Sequence, residues 1–245
     1  MSLSAILNQA LNFFRNNISQ LATLTIPILL IQVGLQMWLS LEVTSADVEN
    51  PQFSASHMIV MMVLLLLFSL LIAALTLFLE LRSLGHKPSN GLVLKTSLNF
   101  VPGLLLAGVF SGLAILGPFF ILVAIAPVLG VVGIAASFYI FSRLAFVNFM
   151  VVVERLTPME AIKRSFAFSG PIVYKTMMIA SLYIPLLILG GGLAKLVEGV
   201  GLPVQYLMDV IVAFVGLFIN VALFRLYMVS REHTDDSQNI SQDGE

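Results

Sequence analysis

Apolar residues fall in long blocks along this chain rather than alternating or marking one face of a short helix. A helix crossing a hydrocarbon core of about 30 Å needs about 20 predominantly apolar residues. The first block of that length is 20–41, QLATLTIPILLIQVGLQMWLSL, with Pro27 near its start; the second is 57–79, HMIVMMVLLLLFSLLIAALTLFL. Residues 99–152 contain one charge, Arg143, and are too long for a single crossing. Pro118 with Phe119, and the APVLG of 126–130, interrupt the run. They predict two spans, 100–123 and 128–152, joined by a very tight hairpin. Spans over 173–194 and 205–229, separated by GVGLP, complete the pattern. The expected fold is an all-α membrane protein, a bundle of six transmembrane helices spread over 20–229.

Two further segments read as amphipathic helices lying on the membrane surface. In 1–19, Leu3, Ile6, Leu7, Ala10, Phe14 and Ile18 form one stripe, with Asn8, Asn12, Arg15 and Asn16 opposite. In the loop ERLTPMEAIKRS (154–165), Thr157, Pro158 and Glu160 suit an N-cap, a first-turn proline and a capping box. Met159, Ile162 and Phe166 then share one face, while Glu160, Lys163 and Arg164 share the other. Such a helix buries its apolar side at headgroup level and turns its cations to anionic lipid. A basic inner loop that only sets topology reads the same way. At the other end, 230–245 is polar, acidic and without periodicity, so a disordered cytoplasmic tail is expected.

Charge sets the direction of insertion. Of 12 lysines and arginines, ten fall on the side that takes both termini: Arg15, Arg82, Lys87, Lys95, Arg155, Lys163, Arg164, Lys175, Arg225 and Arg231. Only Lys195 falls on the other side, and Arg143 lies within a span. Basic flanks stay cytoplasmic, so the surface helices and both termini are expected inside. The composition, 59% hydrophobic and 10% charged with net charge −1, gives no reason to expect a nucleic-acid partner. The first residues lack the basic start, short apolar core and cleavage site of a signal peptide. There is no cysteine, and the three histidines are scattered, so no metal site, cofactor or catalytic constellation is expected. The soluble portions are too short for a catalytic domain, and the chain reads as not an enzyme.

The candidate site residues are therefore charges at or inside the membrane: Arg143, Glu80, Glu154, Lys163, Arg164 and Arg225. An arginine at the centre of a span costs about 2.5–3.5 kcal/mol on insertion scales and usually faces protein or a wet cavity. Arg143 is expected to meet Glu80, Glu154 or carbonyls near helix breaks. It serves an anion or lipid headgroup inside a cavity, or forms a structural ion pair, or reaches toward the inner surface from a helix that extends beyond the bilayer. Arg225 is placed to reach the headgroups along its apolar stem. Gly108 with Gly112, GVVG at 130–133 and GGG at 190–192 suggest close helix approach. FLELRSL followed by KTS at 95–97, and VVERLT followed by KRS at 163–165, hint at a repeated two-helix unit.

NFFRNN before the first span, VVVERLTPMEAIKRSF, and LFRLYMVSR at the end of the last together resemble the YciC family of multi-pass bacterial inner-membrane proteins. The resemblance implies the cell inner membrane and this layout, and it imports no catalytic residues. Ala161, Ile162, Arg164 and Ser165 also look like a segment of membrane domains attached to glycerophosphodiester phosphodiesterases, with Phe166 where tryptophan is frequent there. The function expected is a non-enzymatic envelope protein that contacts phospholipid or a membrane-protein partner. The alternative is a small transporter or channel with Arg143 in a polar pathway.

Overall fold

The computed structural model describes residues 2–45, 54–197 and 199–242, and all regular structure among them is helical. In chain order the helices are α1 Leu3–Asn16, α2 Ile18–Ser45, α3 Ala55–Ser83, α4 Asn90–Ser97, α5 Val101–Ile125, α6 Gly130–Leu144, α7 Val147–Val153, α8 Pro158–Ser169, α9 Val173–Ala180, α10 Tyr183–Val197 and α11 Leu202–Gln242. Short 3-10 turns at Leu98–Phe100, Pro127–Leu129 and Gly170–Ile172 link neighbours. Six helical runs are long and apolar enough to cross a membrane: Ile18–Val43, Ala55–Ser83, Asn90–Ile125, Pro127–Val153, Pro158–Val197 and Leu202–Glu232. Each contains one of the six expected blocks. The third and fifth start earlier than their apolar residues do, because α4 and α8 run through a 3-10 turn into the span behind them.

Breaks inside the runs have local causes. Pro185 has no N–H, and its ring crowds the carbonyl four residues back; that residue is Ser181, where α9 gives way to α10. The expected hairpin after Ile125 is tight: Ala126 is extended and Pro127 opens the next turn. α3 stops at a left-handed glycine, Gly85 with φ 83°, and the His86 N–H closes back on the Leu81 carbonyl at 2.9 Å.

Contacts divide the chain into two compact units, where the sequence pattern suggests one domain over 20–229. The first comprises Met1–Asn17, Leu106–Leu182 and Phe218–Glu245; the second comprises Ile18–Leu105 and Tyr183–Leu217. In the second unit α2 and α3 pack through Leu21, Leu24, Ile28 and Leu29 and through a run of buried residues from Leu71 to Leu79. The Tyr206 hydroxyl donates to the Leu30 carbonyl at 2.7 Å, with its ring against Gly34. The Gln20 amide donates to the Pro88 carbonyl at 2.8 Å. In the first unit α1 buries Ile6, Ala10 and Phe14, and the Phe14 ring meets Phe218 edge-on at 6.1 Å.

Two expectations change. Among the described residues nothing lies within 4 Å of where a Cβ on Gly108 or Gly112 would stand, so that pair serves no close approach among them. The expected tail is helical to Gln242, because no glycine or proline follows Gly216 before Gly244 to end α11; residues 243–245 lie outside the described residues. Close approach occurs at Gly133, within the GVVG expected to allow it, where an added Cβ would stand 2.8 Å from the Phe119 backbone Cα. A backbone atom cannot swing aside, and overpacking costs about 1–3 kcal/mol. Gly133→Val should therefore lower the thermal midpoint in detergent, whereas Gly112→Val should leave it unchanged.

Candidate functional site

The fourth span breaks at Ala145–Phe146 although SRLAFVN holds neither glycine nor proline. The cause is side-chain insertion from α8. Ser165 and Ser169 each donate a hydroxyl hydrogen bond to the Arg143 carbonyl, both at 2.9 Å. Groups entering the backbone ladder in this way bend or interrupt helices. α8 approaches so closely because the face it buries, Ala161, Ser165 and Ser169, is made of small side chains one turn apart.

Both ends of α8 are set by its sequence. At the start, Thr157 is extended, Pro158 opens the first turn, and the Glu160 carboxylate accepts from the Thr157 N–H at 3.1 Å and its hydroxyl at 2.7 Å. At the end, Pro171 has no N–H to give the Ala167 carbonyl, so the Gly170 N–H goes there. The Phe166 carbonyl is thereby left for other donors. Arg143 Nη2 donates to it, as does the Ser169 hydroxyl at 3.3 Å. A cation on the last carbonyls of a helix satisfies an orphan acceptor and faces the negative end of the helix dipole.

The rest of the Arg143 guanidinium is largely occupied. Nη1 donates to the Tyr139 hydroxyl at 3.0 Å; the group lies 4.1 Å from the Phe166 ring centroid and 5.7 Å from that of Tyr139. Cation–π contacts of this kind contribute about 0.5–2 kcal/mol. Nε is buried with no acceptor among the described residues. Arg143 is thus half-buried, its charge spread over a carbonyl, a phenol and two rings. Of the expected partners, the carbonyl near a helix break is the one it finds.

Glu154 anchors a second cluster. Its Oε1 accepts from the Tyr227 hydroxyl, and Oε2 lies 2.8 Å from Arg164 Nη1, an ion pair outside hydrogen-bond angle. The Glu154 side chain is 8% exposed and that of Arg164 58%. Tyr227 is fully buried, its ring 5.6–6.4 Å from those of Phe146, Phe149, Phe168 and Phe224. Arg155, which follows Glu154, has φ 56° and turns the chain from α7 towards α8. α7, α8 and α11 therefore meet around one carboxylate.

The remaining expected residues lie elsewhere. Arg225 Nε donates to the Gln9 side-chain oxygen at 2.8 Å, joining α11 to α1. Glu80 belongs to the second unit, half-buried near the end of α3, where its carbonyl accepts from the Leu84 N–H and the Ser83 hydroxyl. Lys163 is exposed on α8. The sequence pattern did not single out Ser165 and Ser169 as contacts, nor Tyr139 or Tyr227. The signal for the serines was A-x-x-x-S-x-x-x-S over 161–169; the tyrosines had none, since an aromatic in an apolar span is ordinary. Among the described residues no group of three or more histidines and carboxylates is placed to hold a metal ion.

No family model, curated protein or solved structure matches this chain.

Removing the Tyr227 hydroxyl while keeping its ring isolates one contact to a buried carboxylate. Hydrogen bonds to charged groups contribute about 1.5–3 kcal/mol. Tyr227→Phe should destabilise the first unit by about that amount in detergent unfolding. Glu154→Gln together with Tyr227→Phe should cost less than the sum of the single changes, because the two act on one interaction.

Proposed function

We propose that the chain is a non-enzymatic, multi-pass protein of the bacterial inner membrane, with cytoplasmic termini, that holds anionic phospholipid headgroups against α8. The observation that carries this reading is the division of labour on α8. Its small face is spent on the protein, which leaves Met159 and Phe166 outside, 48% and 45% exposed, beside the exposed cation Lys163. Large apolar side chains next to a cation on a surface helix suit the boundary between headgroups and acyl chains. The collection of ten basic residues on one side of the six spans supports the orientation, because that side is the one bacteria retain in the cytoplasm. The resemblance to the YciC family supports the inner membrane.

Arg164 and Lys163, adjacent in sequence, divide between two tasks in this reading. Arg164 holds α8 to Glu154, and Lys163 meets lipid. A transporter or channel is the second reading, and one observation favours it: Arg143 Nε is a buried donor with no acceptor among the described residues, a hydrogen bond that an anion would complete.

Purified protein in nanodiscs containing phosphatidylglycerol should retain that lipid over phosphatidylethanolamine. Lys163→Glu should reduce the preference by about fivefold or more, since each surface cation contributes about 1 kcal/mol near an anionic leaflet. Equal retention by the variant would end the lipid reading. For the second reading, proteoliposomes should pass a small anion at a rate that Arg143→Ala abolishes while the protein stays folded.

A further inference from the structure

We infer that α1, α4 and α8 are three copies of one membrane-surface element, giving the chain three contacts to anionic phospholipid of a single leaflet. The inference rests on the reading of α8 above and extends it to two helices that share its register. Each copy starts at an extended hydroxyl-bearing cap: Ser2, Ser89 and Thr157. Four positions on stand Ile6, Val93 and Ala161, all buried, whose N–H groups donate to the cap carbonyls at 3.2, 3.1 and 2.9 Å. Eight positions on stand Ala10, Ser97 and Ser165, small and buried. Nine positions on stand Leu11, Leu98 and Phe166, large and apolar yet 45%, 55% and 45% exposed. Eleven positions on, each copy has a half-buried phenylalanine: Phe13, Phe100 and Phe168. Phenylalanine makes up 18 of 245 residues, so composition alone does not place one at the same register three times.

Each copy also leads directly into an outgoing span, which α2, α5 and α9–α10 begin. Two spans separate each copy from the next, and an even number of crossings returns the chain to the same side. Six positions after the cap stand Asn8, Lys95 and Lys163, all exposed, so the second and third copies set a cation beside the apolar residue. In the first copy the exposed cation is Arg15. Apolar residues that face outward beside cations, three times along the chain, match the chemistry of an anionic leaflet.

The chain has no cysteine, so single-cysteine variants can be labelled without background. Nitroxides at Leu11→Cys, Leu98→Cys and Phe166→Cys, in vesicles of phosphatidylethanolamine and phosphatidylglycerol, should all report the boundary between headgroups and acyl chains. Cysteines at Asn8, Lys95 and Lys163 should react with a membrane-impermeant thiol reagent from one common side. Lys95→Gln and Lys163→Gln should each lower phosphatidylglycerol retention about fivefold. A label at 166 in bulk water, or full retention with Lys163→Gln, would remove the α8 reading and this inference with it. If α8 behaves as described while the label at 98 or 11 is in bulk water, or Lys95 reacts from the opposite side, or Lys95→Gln retains lipid fully, the three-copy inference alone falls.

Discussion

A cation within an apolar span has to be answered by polar groups that lipid does not supply, and Arg143 is answered by the end of α8. Its side chain supplies a donor to the Phe166 carbonyl, which Pro171 and the tightened turn at Gly170 have left short of one. Its own carbonyl takes hydroxyl hydrogen bonds from Ser165 and Ser169 of the same helix. One residue thus meets α8 through both side chain and main chain. Unpaired polar groups are costly in hydrocarbon, so the break in the fourth span and the docked position of α8 stabilise each other.

What α8 presents outward follows from that docking. With Ala161, Ser165 and Ser169 facing α6 and α7, helical geometry turns Met159, Lys163 and Phe166 elsewhere. Phe166 has two roles: its ring lies beneath the Arg143 guanidinium, yet the residue remains almost half exposed. The Glu154 cluster adds a second hold. There a buried carboxylate takes a hydrogen bond from the aromatic core at Tyr227 and an ion pair from the half-open Arg164. Such a carboxylate stabilises only while its partners are in place, so α8 is held through Arg164 in its middle by Glu154 and at its last turn by Arg143.

Length and apolarity made the six spans legible, because a bilayer imposes a minimum run that few other structures need. The N-cap of α8 was legible for the same reason of local chemistry: threonine, proline and glutamate at 157, 158 and 160 each have a separate reason to be there. The partners of Arg143 were not legible. A charge attracts the eye to carboxylates, whereas the acceptor it found is a main-chain carbonyl, and no residue type announces that. The glycines misled in the same way. Gly108 and Gly112 have the spacing of a packing motif, but spacing does not say whether a neighbour is present, and at those positions none lies within 4 Å. Gly133, in the GVVG read the same way, does meet backbone, so the same kind of signal held at one place and failed at another. Division into two units also escapes sequence reading, since α1 packs with segments more than two hundred residues away, as Arg225 to Gln9 illustrates.

The copies differ where their registers agree, and the difference separates frame from specialisation. At the eighth position after the cap, Ala10 has no hydroxyl, and Ser97 turns its hydroxyl back to the Val93 carbonyl of its own helix at 2.7 Å. Ser165 sends the equivalent group out to Arg143. A small residue suffices at that position to seat each helix, so seating is the common requirement and the hydroxyl is additional. Only the third copy has an arginine whose carbonyl receives it and whose guanidinium takes the acceptor freed at the last turn. The clamp at Arg143 is therefore an addition to a shared register, and what the three helices hold in common is a buried small residue followed by an exposed apolar one.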